Sequence, residues 1–181
     1  MKRFILGVII TLVFLLQGCG QKTVLKNESY QQTDNVEMSS SAIMTSVQFA
    51  DCMNSIGFYE LKYSKTDIAK IFGITETAIK DNYVCTDDYD NYAIFISFIN
   101  EDVAKLSFEN GLLALQEEEY SYASIQRSSG TDYDRAYIDN SEYSELAIVS
   151  RVKNTLVFVE GFTDEGTSMQ SVNSTLKKVG Y

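Results

Sequence analysis

The sequence predicts an α+β domain: a four-stranded, mainly antiparallel sheet built from two ββα units, preceded by two N-terminal helices. Apolar segments at helical spacing and short strand-like runs follow one another in the order α-α-β-β-α-β-β-α. Two runs, 93–99 and 156–159, are continuously apolar, which is typical of strands covered on both faces. The composition, 45% hydrophobic and 22% charged over 181 residues, suits one globular domain behind a removable leader.

Residues 1–18 have the pattern of a secretory signal peptide. Lys2 and Arg3 precede the apolar run 4–16, whose helix would be about 20 Å long and therefore too short for a ~30 Å hydrocarbon core. A lipobox pattern follows, Leu16-Gln17-Gly18-Cys19. We therefore predict cleavage before Cys19 and a diacylglyceryl anchor on its thiol. The alternative is an ordinary cleaved leader followed by a chance cysteine.

The segment after the predicted anchor, 19–40, is polar and its few apolar residues have no period. This pattern predicts a flexible tether between the membrane and a single domain over 41–181. A first strand packed on the domain is the alternative.

Two helices are predicted at the start of the domain. The first begins near Ser41 and ends at Gly57, with an apolar face of Phe49, Cys52, Met53 and Ile56. The second is shorter, begins at Ser64 and ends at Gly73. One further helical turn is expected within 75–80.

The first ββα unit follows these helices. Strands 83–86 and 92–99 are joined by a five-residue polar turn, and Asn100 is placed to cap the next helix. The apolar stripe of that helix is Ala104, Phe108, Leu112 and Leu115. Gly111 interrupts it, so we expect a bend or a close contact there.

The second unit begins after residues 121–144, which are rich in Tyr, Asp and Ser and have no period, and which we interpret as a long surface loop. Strands 145–152 and 155–162 are then joined tightly at Lys153-Asn154. A last helix carries Met169, Val172, Leu176 and Val179 on one face.

The apolar runs also predict a sheet order. We place 93–99 and 156–159 at the centre and the more polar runs 83–86 and 145–152 at the edges. The helices of the two units would cover one face, and the first helix would help to cover the other. An alignment at a spacing of 63 residues pairs Asn91 with Asn154 and Phe95 with Phe158, and leaves a true duplication open.

The composition excludes several classes of chemistry. There is no histidine, so neither a Ser-His-Asp or Cys-His nucleophile nor a His-ligated metal can be assembled. The net charge of −10 disfavours nucleic acid as a partner, and no cofactor motif is present. The run Asp87, Asp88, Asp90 lacks the glycine and glutamate of a calcium loop, so it predicts a solvated turn. Cys52 and Cys85 are either a disulfide or two buried thiols.

The chain resembles a small lipoprotein family of Gram-positive bacteria known as domain of unknown function 4358. The features that carry the resemblance are the lipobox leader, Ile71-Phe72-Gly73-Ile74, Tyr83-Val84-Cys85, Glu101-Asp102-Val103-Ala104-Lys105 and the turn Val152-Lys153-Asn154. It covers about 41–179. Many members end the last turn with Gly-Asn-Tyr, from which Lys153-Asn154-Thr155 departs. The resemblance implies fold and location and assigns no site residue.

These observations predict a lipid-anchored protein on the outer face of the cytoplasmic membrane. We expect a non-catalytic domain that binds an envelope protein, a cell-wall component or a small ligand. Tyr133, Tyr137 and Tyr143 of the long loop are the candidate contact residues, because tyrosine-rich loops make good contact surfaces. The alternatives are an accessory or structural subunit of an envelope assembly, and a hydrolase that acts through carboxylates.

Overall fold

The computed structural model describes residues 43–118, 124–140, 142–163 and 169–181, so the predicted leader, Cys19 and the tether lie outside the described residues. In the described chain, seven strands form one sheet in which every neighbouring pair is antiparallel, in the spatial order β1-β2-β3-β7-β6-β5-β4. The strands are β1 (Tyr59–Leu61), β2 (Ile79–Thr86), β3 (Tyr92–Phe98), β4 (Ser124–Ser129), β5 (Tyr133–Asn140), β6 (Glu145–Val152) and β7 (Thr155–Phe162). The helices are α1 (Ser46–Asn54), α2 (Lys65–Ile71), α3 (Glu101–Glu118) and α4 (Met169–Lys178), with a 3-10 turn at Glu76–Ala78.

The predicted four-stranded sheet is wrong, because the sheet has three further strands, β1, β4 and β5. The segment interpreted as a long loop, 121–144, instead contains the β4–β5 hairpin. Its inward positions are apolar at Ala136 and Ile138, but the alternating positions carry Arg135 and Tyr137 rather than short polar residues. These long side chains cover part of the opposite face of the sheet. The segment is therefore mostly polar in composition, and the alternation of buried and exposed positions that is typical of a strand could not be recognised in the sequence.

The sheet is the middle layer of three, and a separate apolar core lies on each face. Along β3, Ile94, Ile96 and Phe98 join the core beneath α2 and α3, whereas Ala93 and Phe95 join the core beneath α1 and α4. Burial on both faces explains why β3 and β7 are apolar without alternation. The prediction that these two strands are central is confirmed, since they pair with each other in the middle of the sheet.

The predicted edges and helix positions are wrong. Strands β2 and β6 lie inside the sheet, and the edges are the short β1 and the polar β4. The helices of the two ββα units cover opposite faces, α3 with α2 and α4 with α1. The residues paired at a spacing of 63 therefore differ in surroundings: Phe95 stacks on Phe49, and Phe158 meets Phe72 edge to face.

Local predictions of helix boundaries hold better. Helix α2 begins after Ser64 with a capping box, and Asn100 caps α3 by accepting a hydrogen bond from the Val103 amide at 2.9 Å. Helix α1 begins later than predicted, after Thr45, which also forms a capping box. The close contact expected at Gly111 is confirmed, because a Cβ there would lie 3.2 Å from Cε1 of Phe72. Within the described ranges, no helix combines the length and the apolar character needed to span a bilayer.

Candidate binding surface

The structure separates the three tyrosines that the sequence grouped in one loop. Tyr133 begins β5 and Tyr137 lies in its middle, both half-buried, and Tyr137 packs against the core beneath α4. Burial and the nearby Asp139 raise the pKa of Tyr137, while Arg135 opposes that rise. Tyr143 lies beyond the other end of β5, in the turn before β6, and its side chain is 56% exposed. Of the three, Tyr143 is therefore the one that offers most of its ring to a partner.

Tyr143 shares its end of the sheet with two further exposed tyrosines. Antiparallel pairing brings the start of β1, the β2–β3 turn, the β5–β6 turn and the end of β7 to this same end. Tyr59 begins β1 and is 47% exposed, and Tyr89 lies in the β2–β3 turn and is 52% exposed. These three are the exposed tyrosines of the described chain, although 30 to 84 residues separate them in sequence.

The same end is strongly negative. We define the acidic end as the described residues of 59–60, 86–92, 139–145 and 160–163. These segments contain no lysine or arginine and eight carboxylate residues, which are Glu60, Asp87, Asp88, Asp90, Asp139, Glu142, Glu145 and Glu160. Glu60, Asp88, Asp90 and Glu142 are exposed. This concentration of one sign of charge creates a negative potential over the tyrosine rings.

One register row crosses the acidic end on the α3 face of the sheet. It runs from β1 to β4 through Tyr59, Thr86, Tyr92, Glu160, Ala147, Ile138 and Ile125. Its apolar half, Ala147 to Ile125, packs with the core that α3 covers, and its other half is polar. Burial, followed by the charge of Asp90 and by nearby Tyr63, Glu160 and Tyr59, raises the pKa of Tyr92.

The β2–β3 turn is held by a buried Asp87–Asn91 pair. The Asp87 carboxylate accepts from the backbone amides of Tyr89 at 2.9 Å and Asn91 at 3.1 Å, and from the Asn91 side-chain amide at 2.7 Å. Asn91 Oδ1 in turn accepts from the Phe162 amide at 2.7 Å. The side chain of Asn91 crosses Gly161 so closely that a Cβ there would lie 2.3 Å from Oδ1.

The β5–β6 turn is hydrogen-bonded to Thr163, the residue that follows β7. The Ser144 carbonyl accepts from the Thr163 amide at 2.7 Å, and the Tyr143 amide donates to the Asn140 carbonyl at 3.1 Å. Phe162 and Thr163 thus fix the two turns that carry Tyr89 and Tyr143. Contact residues held in this way lose less conformational entropy when a partner binds.

The opposite end of the sheet carries acidic and basic residues in equal number. We define the balanced end as residues 79–82, 97–101, 129–135 and 150–155. It contains four acidic residues, Asp81, Glu101, Asp132 and Asp134, and four basic residues, Lys80, Arg135, Arg151 and Lys153. Arg151 is 1% exposed, and its Nε donates to Asp134 Oδ2 at 2.5 Å. The guanidinium of Arg151 also donates to the Lys153 carbonyl at 3.0 Å.

Arg135 and Tyr181 extend the hydrogen-bonded network of the balanced end. Arg135 donates to the Tyr181 carbonyl oxygen at 2.6 Å and to the Asn173 side chain, which ties β5 to α4 and the residues after it. Burial lowers the pKa of Arg135, an effect that Tyr137 partly opposes. The Tyr181 hydroxyl forms a hydrogen bond with the Thr155 hydroxyl, and burial raises the pKa of Tyr181 to about 12.

The two cysteines of the domain are free thiols. Cys85 is buried in β2, and its Sγ donates to the Ala93 carbonyl at 3.6 Å. Burial, with a smaller contribution from Asp87, raises the pKa of the Cys85 thiol to about 12. Since the thiolate is the nucleophile, Cys85 behaves at neutral pH as a small apolar side chain. No group of three or more acidic or cysteine residues in the described ranges is arranged to hold a metal ion.

Comparisons with known proteins add little to this description. No protein-family model matches the chain, so the resemblance to domain of unknown function 4358 stays a prediction, and no curated protein matches either. Among solved structures, the chain is similar to the extracellular domain of PknH from Mycobacterium tuberculosis, with 10% identity and a TM-score of 0.36. The alignment covers 76% of this chain and 92% of that chain. A likeness of this size carries no inference about function.

Proposed function

We propose that this protein is a lipid-anchored, extracytoplasmic binding module of the cell envelope, and that the acidic end is its contact surface. The observation that carries the proposal is the collection of Tyr59, Tyr89 and Tyr143 at one end of the sheet, among carboxylates and without a described lysine or arginine. Tyrosine offers a large amphipathic contact area at a low cost in conformational entropy, and it is enriched in binding surfaces. The lipobox ending at Cys19 supports the anchor.

The path of the chain supports this orientation. Helix α1 starts at the balanced end, where the Ser46 hydroxyl donates to the Asp81 carboxylate near the start of β2. The residues that lead toward Cys19 therefore join the domain at the balanced end. An eight-residue strand such as β6 is about 26 Å long, so the acidic end lies about that far from the attachment. The negative charge of anionic lipids also repels the acidic end from the membrane.

The polar groups that hold the fold favour binding over chemistry. Asp87 and Asn91 hold a turn, Asp134 and Arg151 form an ion pair, and Cys85 is protonated. Each of these groups is engaged in holding the fold, and what they leave exposed is a rigid surface of tyrosines and carboxylates.

A second candidate function, an accessory subunit of an envelope assembly, is favoured by one observation on α3. Leu106 and Leu113 are half-exposed and lie seven residues apart, on one side of the helix. Apolar side chains repeated in this way on an exposed helix are typical of a helix-packing surface.

The experiment that tests the proposal is in-cell cross-linking followed by capture of the native, anchored protein. Tyr89→Ala changes the acidic end, Leu106→Ala changes α3 at a site of equal exposure, and Cys19→Ala removes the anchor. We expect one envelope protein to be captured by the native chain and by Leu106→Ala, and to be lost with Tyr89→Ala. Cys19→Ala should lose a metabolically incorporated fatty-acid label and weaken capture.

Two results would overturn this assignment. Capture that survives Tyr89→Ala and is lost with Leu106→Ala would favour the accessory-subunit function through α3. If the native chain carries the fatty-acid label but captures no specific protein, the proposed binding function is wrong and the proposed anchor stands.

A further inference from the structure

The charges and rings of the acidic end also indicate the chemistry of the partner. We infer that it is an extended protein segment that carries lysine or arginine side chains, an inference that rests on the function proposed above. The exposed carboxylates Asp88, Asp90 and Glu142 supply the ion pairs, and the rings of Tyr59, Tyr89 and Tyr143 supply the faces against which cationic side chains stack.

The first argument is the sign and distribution of charge. The acidic end has eight carboxylate residues and no described base, so it attracts a positively charged partner and repels a negatively charged one. The carboxylates do not converge on one point, and the described residues contain no group able to hold a metal ion. A partner with several separated positive charges therefore fits better than a single inorganic cation.

The second argument is the aromatic content. Ammonium and guanidinium groups are attracted to the faces of aromatic rings, and lysine and arginine stems lie well along apolar surfaces. Tyr59 is 47% exposed and its hydroxyl donates to the Asp87 carbonyl at 3.4 Å, which orients the ring at the rim of the sheet. Tyr92 lies two strands away in the same register row, close to the charges of Asp90 and Glu160. A cationic side chain bound at this row would therefore lie near both aromatic rings and carboxylates.

The third argument is size. From β1 through β2, β3 and β7 to β6, the acidic end crosses four interstrand spacings, or about 19 Å. An extended chain rises about 3.3 Å per residue, so a segment of about six residues spans Tyr59 to the β5–β6 turn. A lysine or arginine at alternate positions of such a segment would place its charges on one side, toward the carboxylates.

The test uses a fluorescent hexalysine peptide as the probe and the mature, lipidated chain in neutral detergent, with binding measured by fluorescence anisotropy. One variant, Asp88→Asn with Asp90→Asn, removes two charges from the acidic end. A matched variant, Glu101→Gln with Asp132→Asn, removes two exposed charges from the balanced end. We expect the first pair to weaken binding about fivefold and the second less than twofold.

The contribution of the rings is tested at constant charge. Tyr89→Ala should weaken binding several-fold, whereas Tyr89→Phe, which keeps the ring, should bind nearly as the native chain does. Raising the salt concentration from 50 to 200 mM should weaken binding to the native chain. Equal weakening by both charge pairs would mean diffuse attraction to an acidic protein and would overturn the inference, as would a hexalysine peptide that does not bind.

The failure of this inference can be told from the failure of the proposed function. If the envelope partner is captured through Tyr89 but binds by a segment without lysine or arginine, the binding function stands and the cationic partner is wrong. If hexalysine binds selectively at the acidic end but no envelope protein is captured in cells, the surface chemistry stands and the proposed function is wrong.

Discussion

The two ends of the sheet use charge in opposite ways, although the same strands form both. At the balanced end, acidic and basic residues are equal in number, and Arg151 is buried against Asp134. At the acidic end, carboxylates outnumber bases eight to none among the described residues, and Asp88, Asp90 and Glu142 are exposed. Buried, paired charges determine whether the chain folds, whereas exposed charges of one sign determine what it attracts. The ends should therefore respond differently to the same kinds of substitution.

The largest expected difference is in the free energy of unfolding, when one carboxylate is removed from each end in turn. Asp134→Ala should lower the free energy of unfolding by about 3 kcal/mol, because it leaves the Arg151 guanidinium buried without its counter-ion. Asp88→Ala should change it by less than about 0.5 kcal/mol. Urea denaturation of the two variants measures both. Equal effects would mean that the charges of the two ends do not differ in role.

The next effect is a pH dependence that belongs to the balanced end. The pKa of Tyr181 is raised from 10.0 to about 12 by burial, so the folded chain holds this proton more tightly than the unfolded chain. The stability that this contributes is present below pH 10 and is lost as the pH rises from about 10 to 12, a loss of roughly 2–3 kcal/mol. Tyr181→Phe should show a flatter profile in this window.

The raised pKa of Cys85 is common to native chain and Tyr181→Phe, so its contribution cancels in the difference between their unfolding free energies. Parallel pH profiles of native and variant would show that Tyr181 is not buried in its protonated form.

A smaller effect separates the hairpin turns of the two ends. Asn91→Ala should cost about 2 kcal/mol, because the Phe162 amide and the buried Asp87 carboxylate each lose a hydrogen bond. Asn154→Ala at the balanced end removes one hydrogen bond, from its side-chain amide to the Phe98 carbonyl, and should cost about 1 kcal/mol. Thermal denaturation of the two variants measures which substitution lowers stability more. A larger loss for Asn154→Ala than for Asn91→Ala would show that Asn91 does not organise the acidic end.

The smallest effect concerns the charges proposed for binding. Asp88→Asn with Asp90→Asn should leave the unfolding free energy within about 0.5 kcal/mol of the native value, since both side chains are exposed and Asn tolerates the left-handed backbone at residue 90. Any gain from relieved repulsion should disappear in 1 M salt. Stability should be measured by urea denaturation at both salt concentrations. A loss greater than 1 kcal/mol would assign these charges to the fold.

Local features of the fold could be predicted because they depend on neighbours in sequence. Ser64 was identified as the start of a helix and Asn100 as a helix cap, and both cap their helices in the structure. Residues 145–152 and 155–162 were identified as strands joined at Lys153-Asn154, with the bounds that the structure has. The central position of β3 and β7 also followed from sequence, because burial on both faces requires apolar residues at consecutive positions. The lipobox at Cys19 is likewise a local pattern, and it remains a prediction.

Only the tertiary structure decided the number of strands, the face that each helix covers and the composition of the acidic end. Ala136 and Ile138 are buried because pairing with β6 places them in the core beneath α3, and that pairing is not encoded in the hydrophobicity of β5 alone. Tyr59, Tyr89 and Tyr143 lie at the same end of the sheet because antiparallel register brings distant turns to that end. Tyr143 was a candidate contact residue from the sequence, but nothing local places Tyr59 or Tyr89 at its end of the sheet. Such assemblies depend on strand order, which arises from packing between segments far apart in the chain.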